Sequence, residues 1–360
     1  MKSLTRASVS MGTIIMLTLS VASASLADQH PVNNGDQAVS EAKNAPYVNP
    51  DVRAYLDNLK SNPRPALTRE MLAMIRKMPA EKMVSRDDFP VGELATIKDV
   101  TMAGPGGDIN MRLYDPRKER GPSPVVVFFH GGAYVVGSIA THAGLTAEIA
   151  RQLDLPVISV EYRLAPENPW PAAVDDGEAA ARWIADNGTA FGREFAGLII
   201  SGDSAGGNLT LVTTLALRDK PAKLPVIMQM PIYPASDKTK TYPSQQQFSQ
   251  GYGLDISDDD EDFYAADPQS VRGSPLLANL AGLPPTVLIT AALDPLRDQG
   301  RAYAAKLVEA GVPTIYYEAK GNIHGFATYR KAIPSAQQAT TEFLALANTM
   351  LKQVAEGEDK

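Results

Sequence analysis

Gly197-Leu198-Ile199-Ile200-Ser201-Gly202-Asp203-Ser204-Ala205-Gly206 is an apolar run that closes on a glycine-flanked serine, and a helix-like stretch from Asn208 to Arg218 follows it. Strand, sharp turn, helix is the pattern of a nucleophile elbow with Ser204 at its tip. A serine oxygen projected from so tight a turn leaves no room for side chains beside it, and Gly202 and Gly206 meet that requirement. A serine helix cap after a glycine turn is the plainer reading of the same letters. The strand before the motif and the helix after it favour the elbow.

A serine hydroxyl is a poor nucleophile at neutral pH, so the chain must also supply a base, an orienting acid and oxyanion donors. There are four histidines: His30, His130, His142 and His324. Chains built on this elbow run in the order Ser, then Asp or Glu, then His. Only His324 follows Ser204, in the glycine-flanked segment Gly321-Asn322-Ile323-His324-Gly325-Phe326 after the strand-like Thr314 to Glu318. It is the candidate base; a loop histidine bonded to backbone is the alternative. Asp294 is the candidate acid, because it ends the buried-strand run Pro285 to Leu293 and precedes Pro295, which stops the strand and leaves the carboxylate at the sheet's C-terminal edge. Asp298 is the rival acid, with capping of the next helix or bonding to the histidine loop as its other readings.

The oxyanion donors are expected from an earlier loop. Pro124-Val125-Val126-Val127-Phe128-Phe129-His130-Gly131-Gly132-Ala133-Tyr134 reads as a buried strand opening into a His-Gly-Gly turn. The amides of Gly131 and Gly132, with that of Ala205 after the nucleophile, form the expected three-donor hole. His130 comes too early in chain order to be the base and is expected to hold the glycine loop by hydrogen bonds. Asp203, inside the elbow, is given a supporting role.

At this point the chain resembles the bacterial hormone-sensitive-lipase family of α/β-hydrolase esterases. The residues that carry the resemblance are His130-Gly131-Gly132, Glu161-Tyr162-Arg163-Leu164-Ala165-Pro166-Glu167, Pro171-Ala172-Ala173, Gly202 to Asn208, Asp294-Pro295-Leu296 and His324-Gly325-Phe326. They span roughly residues 95 to 350, and the Tyr-Arg-Leu-Ala-Pro-Glu segment is the most specific of them, with bracing of the active-site face as its expected role. The resemblance implies hydrolysis of carboxylic esters without a cofactor, Ser204, Asp294 and His324 as triad, and Gly131, Gly132 and Ala205 as oxyanion hole. Many members carry a third glycine where this chain has Ala133, which implies a stiffer loop and altered room on the alcohol side. A carbohydrate acetyl esterase, a lactone or amide hydrolase, and a non-catalytic ligand-binding relative of the same fold stay open, as does a homodimer.

Composition sets the bounds. Residues 1–27 carry Lys2 and Arg6, an apolar core from Met11 to Leu19, and the small residues Ala22-Ser23-Ala24 and Ser25-Leu26-Ala27, which reads as a signal peptide cleaved after Ala24 or Ala27. Its core is short for a membrane span, though a retained anchor is the competing reading. A periplasmic or secreted protein is therefore expected, with no stable membrane insertion once the signal is removed. The chain has no cysteine, so the fold rests on its core even in a compartment that permits disulfides. The net charge of −7 argues against nucleic acid and anionic lipid as partners. No metal-ligand cluster is legible, and the partner expected is a small-molecule ester.

Strands alternating with helices predict an α/β fold, a mostly parallel eight-stranded sheet with helices on both faces. Residues 95–114 read as an antiparallel hairpin at the sheet edge around Gly104 to Asp108, with strands near 124–129, 155–161, 197–201, 224–230, 285–292 and 313–318. Residues 28–94 are expected to form a polar segment and a helical cap, 95–350 the catalytic domain with a second cap piece at about 235–275, and 351–360 a polar tail. The methionine-rich face of Met71, Leu72, Met74, Ile75 and Met78 is expected to pack in the core, or else to line the cap, as an N-terminal helical segment does in the family resembled. The acidic run Asp258 to Asp262 is expected at a helix N-terminus.

Overall fold

The computed structural model describes residues 45–63, 67–256 and 261–358. Three helices come first: α1 (Pro50–Ser61), α2 (Arg69–Ile75) and α3 (Ala80–Met83). The hairpin β1 (Thr96–Gly104) and β2 (Gly107–Asp115) follows, then β3 (Ser123–Phe129), α4 (Ala143–Leu153), β4 (Val157–Val160), α5 (Ala172–Asp186), β5 (Phe195–Asp203), α6 (Ala205–Asp219) and β6 (Val226–Ile232). The last part holds α7 (Pro243–Phe248), β7 (Thr286–Leu293), α8 (Arg297–Glu309), β8 (Thr314–Ile323) and α9 (Pro334–Glu358).

The eight strands form one sheet in the order β1-β2-β4-β3-β5-β6-β7-β8. β1, β2 and β4 pair antiparallel, and every pairing from β4 through β8 is parallel. The central strands read as unbroken apolar runs because both of their faces are covered. Along β3 the side chains alternate: Val126 and Phe128 join α4 and α9 on one face, while Val125, Val127 and Phe129 join α5 and part of α6 on the other. A third cluster packs Leu211 and Leu215 of α6 against Leu288, Tyr303 and Leu307. The sheet, its hairpin edge and its two helical layers agree with the sequence expectation.

Four expectations are corrected. Residues 351–358 are not a tail: α9 continues through them, because Met350 is buried and Leu351 and Val354 pack against the core. The boundary drawn at residue 95 cuts through the core. Val52, Tyr55 and Leu56 of α1 lie in the same apolar cluster as β3, β7 and α9, so α1 belongs to the hydrolase body, and one compact unit runs from Pro46 onward. The methionine-rich face does not pack in the core: Leu72 is buried at 1 % exposure, whereas Met74 is 68 % exposed. Thr68 still starts this helix, its Oγ1 accepting from Met71 N at 3.2 Å. The acidic run lies partly outside the described residues, and its described end, Glu261 to Ala265, is a turn, with Asp262 Oδ1 accepting from the amides of Tyr264 and Ala265. The signal peptide and His30 fall outside the described residues. No helix among those described is long and apolar enough to cross a membrane.

Candidate active site

β5 ends at Asp203, α6 begins at Ala205, and Ser204 between them holds φ 56° and ψ −115°. That backbone is strained for a residue with a Cβ. It is held from both sides: Ser204 N donates to Ile232 O at 2.9 Å, and Ser204 O accepts from Asn208 N at 3.0 Å. A Cβ on Gly206 would lie 2.0 Å from Phe129 O, so glycine lets the elbow press against β3. This is the close approach expected of the motif.

β8 runs on to Ile323, five residues beyond its expected end, so His324 is the first residue past the strand. Its Nε2 lies 2.8 Å from Ser204 Oγ and its Nδ1 2.8 Å from Asp294 Oδ2. A carboxylate only accepts, so Nδ1 carries a proton and Nε2 of the neutral ring is free to accept from the serine hydroxyl. Asp294 is fully buried just past β7, and its Oδ1 accepts from Leu296 N at 2.7 Å, which fixes the carboxylate plane. Three residues up to 120 positions apart thus meet at the C-terminal edge of the sheet. Asp298 lies elsewhere: in the first turn of α8 it accepts from Ser244 N at 2.9 Å and pairs with Arg297, fastening α7.

The loop after β3 departs from expectation at one residue. Gly131 N donates to Asp203 Oδ1 at 2.8 Å, so its proton is already taken by a buried carboxylate and is not free for an oxyanion. The amides of Gly132, Ala133 and Ala205 bond to no acceptor among the described residues. Gly132 takes φ 118°, while Ala133 and Tyr134 take φ 54° and 63°. The loop is braced from below. Tyr162 Oη donates to His130 O at 2.7 Å, Ala165 N to Tyr134 O at 2.8 Å, and Arg76 Nη2 to Val135 O at 2.6 Å. Arg163 in turn pairs with the fully buried Asp176, whose place is therefore structural. The Tyr-Arg-Leu-Ala-Pro-Glu segment thus supports the loop beneath the site.

His130 donates from Nδ1 to Gly131 O at 2.8 Å and stacks on Tyr162 with ring centres 4.3 Å apart. Burial, with the neighbouring His142, pushes its pKa down to about 3, so it is neutral. Burial alone would raise the carboxyl of Asp203, but the facing His142 holds it below its ordinary value. Chain order excludes His142 as the base and gives it no other role, and nothing in the sequence singles out Tyr233. The ring of Tyr233 lies 4.8 Å from that of His324, and its hydroxyl 3.4 Å from Asp203 Oδ2. Only pairing across the sheet reveals either role; the one local signal was that His142 closely follows the glycine loop.

The family described as α/β hydrolase fold matches residues 126–328. An arylesterase of Saccharolobus solfataricus is 36% identical over 78% of this chain and 92% of its own. The esterase LipI of Mycobacterium tuberculosis is 35% identical over 73% of this chain and 84% of its own. Among solved structures, an ester hydrolase from the Lake Arreo metagenome, in complex with a bipyridine phosphonate derivative, superposes with a TM-score of 0.75 at 36% identity, covering 85% of this chain and 99% of that one. The esterase of Pyrobaculum calidifontis gives 0.73 at 34% identity, over 84% and 99%. With a serine elbow on a mostly parallel sheet and relatives of this closeness, the chain belongs to the α/β-hydrolase family and is a carboxylesterase of the hormone-sensitive-lipase type.

Proposed function

We propose that this carboxylesterase works through Ser204, Asp294 and His324 by way of an acyl-enzyme. His324 Nε2 removes the serine proton as Oγ attacks the ester carbonyl, and Asp294 holds the ring in the required tautomer. The negative oxygen of the tetrahedral intermediate is received by the amides of Gly132, Ala133 and Ala205, Ala133 taking the place first expected of Gly131. His324 then protonates the leaving alcohol and activates water for deacylation. The observation that carries this reading is the unbroken Ser204–His324–Asp294 chain, with 2.8 Å at each link.

The substrate is a short- to medium-chain acyl ester. Two segments joined beside the oxyanion loop support this: Arg69 of α2 pairs with Glu261 and lies over the ring of Phe263, and Tyr134 next to that loop stacks on Tyr264 at 3.8 Å. A joined pair of segments beside that loop suits small soluble esters, and Met74 of α2 and the following Met78 are exposed, unbranched side chains that adapt to varied acyl groups. Export by the leader at residues 1–27 is part of the same reading; the mass of the protein recovered from periplasm and medium tests it, and a retained Met1 would refute it.

Activity is tested with p-nitrophenyl esters of two to sixteen carbons, with and without a serine-directed organophosphate, followed by intact mass. The expected result is a stoichiometric adduct on Ser204 with turnover greatest at short chains. Ester turnover surviving in Ser204→Ala, or turnover rising at an oil interface with long chains, would overturn the nucleophile or the chain-length assignment respectively.

A further inference from the structure

Behind the oxyanion loop lies a buried polar cluster that the mechanism above leaves without a task. Asp203, 3 % exposed, accepts from Gly131 N at 2.8 Å and faces His142 Nε2 at 3.2 Å through Oδ1, while Oδ2 faces the Tyr233 hydroxyl. No lysine or arginine pairs with this carboxylate among the described residues. A buried carboxylate without a counter-charge is strongly disfavoured. His130 does not supply one: its Nδ1 is spent on Gly131 O, and its Nε2 is buried without a partner among the described residues, so a second proton there would be stranded.

His142 is the group left. Its Nε2 points at an acceptor and must carry a proton, even though Gly131 N is only 3.3 Å away, since that amide gives its own proton to Asp203. Its Nδ1 lies 2.8 Å from Thr141 Oγ1, whose single proton has the carbonyl of Ser138 as acceptor at 2.9 Å. Thr141 Oγ1 also accepts from Ser138 N at 2.8 Å, so with its proton on the Ser138 carbonyl one lone pair is left to face Nδ1, the arrangement in which both ring nitrogens donate.

We propose that His142 is an imidazolium in the resting enzyme and that its ion pair with Asp203 is a positioning device, clamping the Gly131 amide so that the next two amides face the reacting oxygen. The same carboxylate reaches Tyr233, whose ring lies against that of His324, so one buried pair touches both the donor loop and the wall behind the base. This deepens the serine-hydrolase reading and rests on it.

The groups that face His142 are Asp203 at the end of β5, Asp88 before β1, Glu161 after β4 and His130 after β3. Asp88 is itself paired with Arg330 at 2.7 and 3.0 Å. Burial opposes a charge on His142, but Asp203 and then Asp88 hold it above its ordinary value. The folded pKa is raised, so the clamp is intact below the ordinary histidine range and is lost as pH rises through the raised value. The lowered Asp203 keeps its charge down through the ordinary carboxylate range. The clamp therefore produces an alkaline limb in kcat.

The test is nitrogen NMR of the full chain labelled at histidine, with the four rings assigned by single His→Gln variants. At pH 7 His142 should show protons on both ring nitrogens; a bare Nδ1 would overturn the proposal. His142→Gln and Asp203→Asn should each lower kcat about 10²-fold with KM little changed, the double variant being no worse than the poorer single one. Wild-type kcat in a folded His142→Gln would also overturn it. Should either variant not fold, the wild-type spectrum decides alone. Failure of the organophosphate to label Ser204 in the wild type would instead sink the serine-hydrolase reading, while leaving the protonation state as measured.

Discussion

At the scale of single residues, the site is a set of tolerated strains and directed protons. Ser204 and Ala133 both sit at positive φ, near 56° and 54°. A residue with a Cβ in that region gives up roughly 1–2 kcal/mol, whereas glycine there gives up only about 0.4–1 kcal/mol through the unfolded chain. Ala133→Gly is therefore expected to raise stability by about 0.5–1 kcal/mol in urea melts, and a clear loss would show that the alanine methyl packs productively. For Asp294 the issue is tautomer rather than charge alone. Asp294→Asn presents an amide that can donate to Nδ1, which leaves Nε2 protonated toward Ser204; kcat should fall about 10⁴-fold in pre-steady-state acylation with the fold intact. A drop of less than tenfold would move the acid's role elsewhere.

At the scale of elements, one carboxylate reinforces the β2–β4 pairing that joins the antiparallel hairpin to the parallel strands. Asp115 at the end of β2 is fully buried and accepts from Arg117 N at 2.8 Å, Arg120 Nη2 at 2.8 Å and Arg193 Nε at 2.7 Å. Arg193 lies just before β5, so the contact anchors the edge of the sheet to the strand that leads into Ser204. Burial would raise the Asp115 carboxyl, but Arg120, the Arg117 amide and Arg193 hold it below its ordinary value. Because the folded pKa is lowered, its stabilisation is present above the ordinary carboxylate range and is lost as pH falls through the lowered value. Asp115→Asn takes from Arg193 its carboxylate partner and from Arg120 the nearer of two, the other being Asp154 at 3.4 Å, and should cost about 3–5 kcal/mol at neutral pH. The gap between variant and wild-type urea midpoints should close as pH falls through and below the ordinary carboxylate range; a gap independent of pH would assign the loss to packing instead.

At the scale of the whole molecule, the two ends of the described chain close one core. α1 and α9 meet on the same face of the sheet, where Val52, Tyr55 and Leu56 share a cluster with Phe343, Leu344, Ala347 and Met350. Phe343 is 1 % exposed, and Phe343→Ala should cost about 3–5 kcal/mol through lost burial and the cavity left behind. Denaturant melts followed by both ester turnover and tryptophan fluorescence should shift together. If turnover were lost well before fluorescence, α9 would be a separate unit rather than part of the cooperative core.

What the sequence determined alone was carried by neighbours in the chain and by chain order. Strand runs, the Gly-x-Ser-x-Gly turn and the sheet they imply are local patterns, and Asp294 and His324 were legible because strand ends and chain order left few candidates. The tertiary structure decided which polar atoms were already spoken for. Whether the Gly131 amide is free depends on Asp203, 72 residues away, and the charge of His142 depends on the same carboxylate. Burial likewise separated Leu72 from Met74 on one short helix and drew the end of α9 into the core, against a polar reading of the last ten residues. Hydrogen-bond occupancy and burial are properties of contacts between distant segments, and no periodicity within a single segment encodes them.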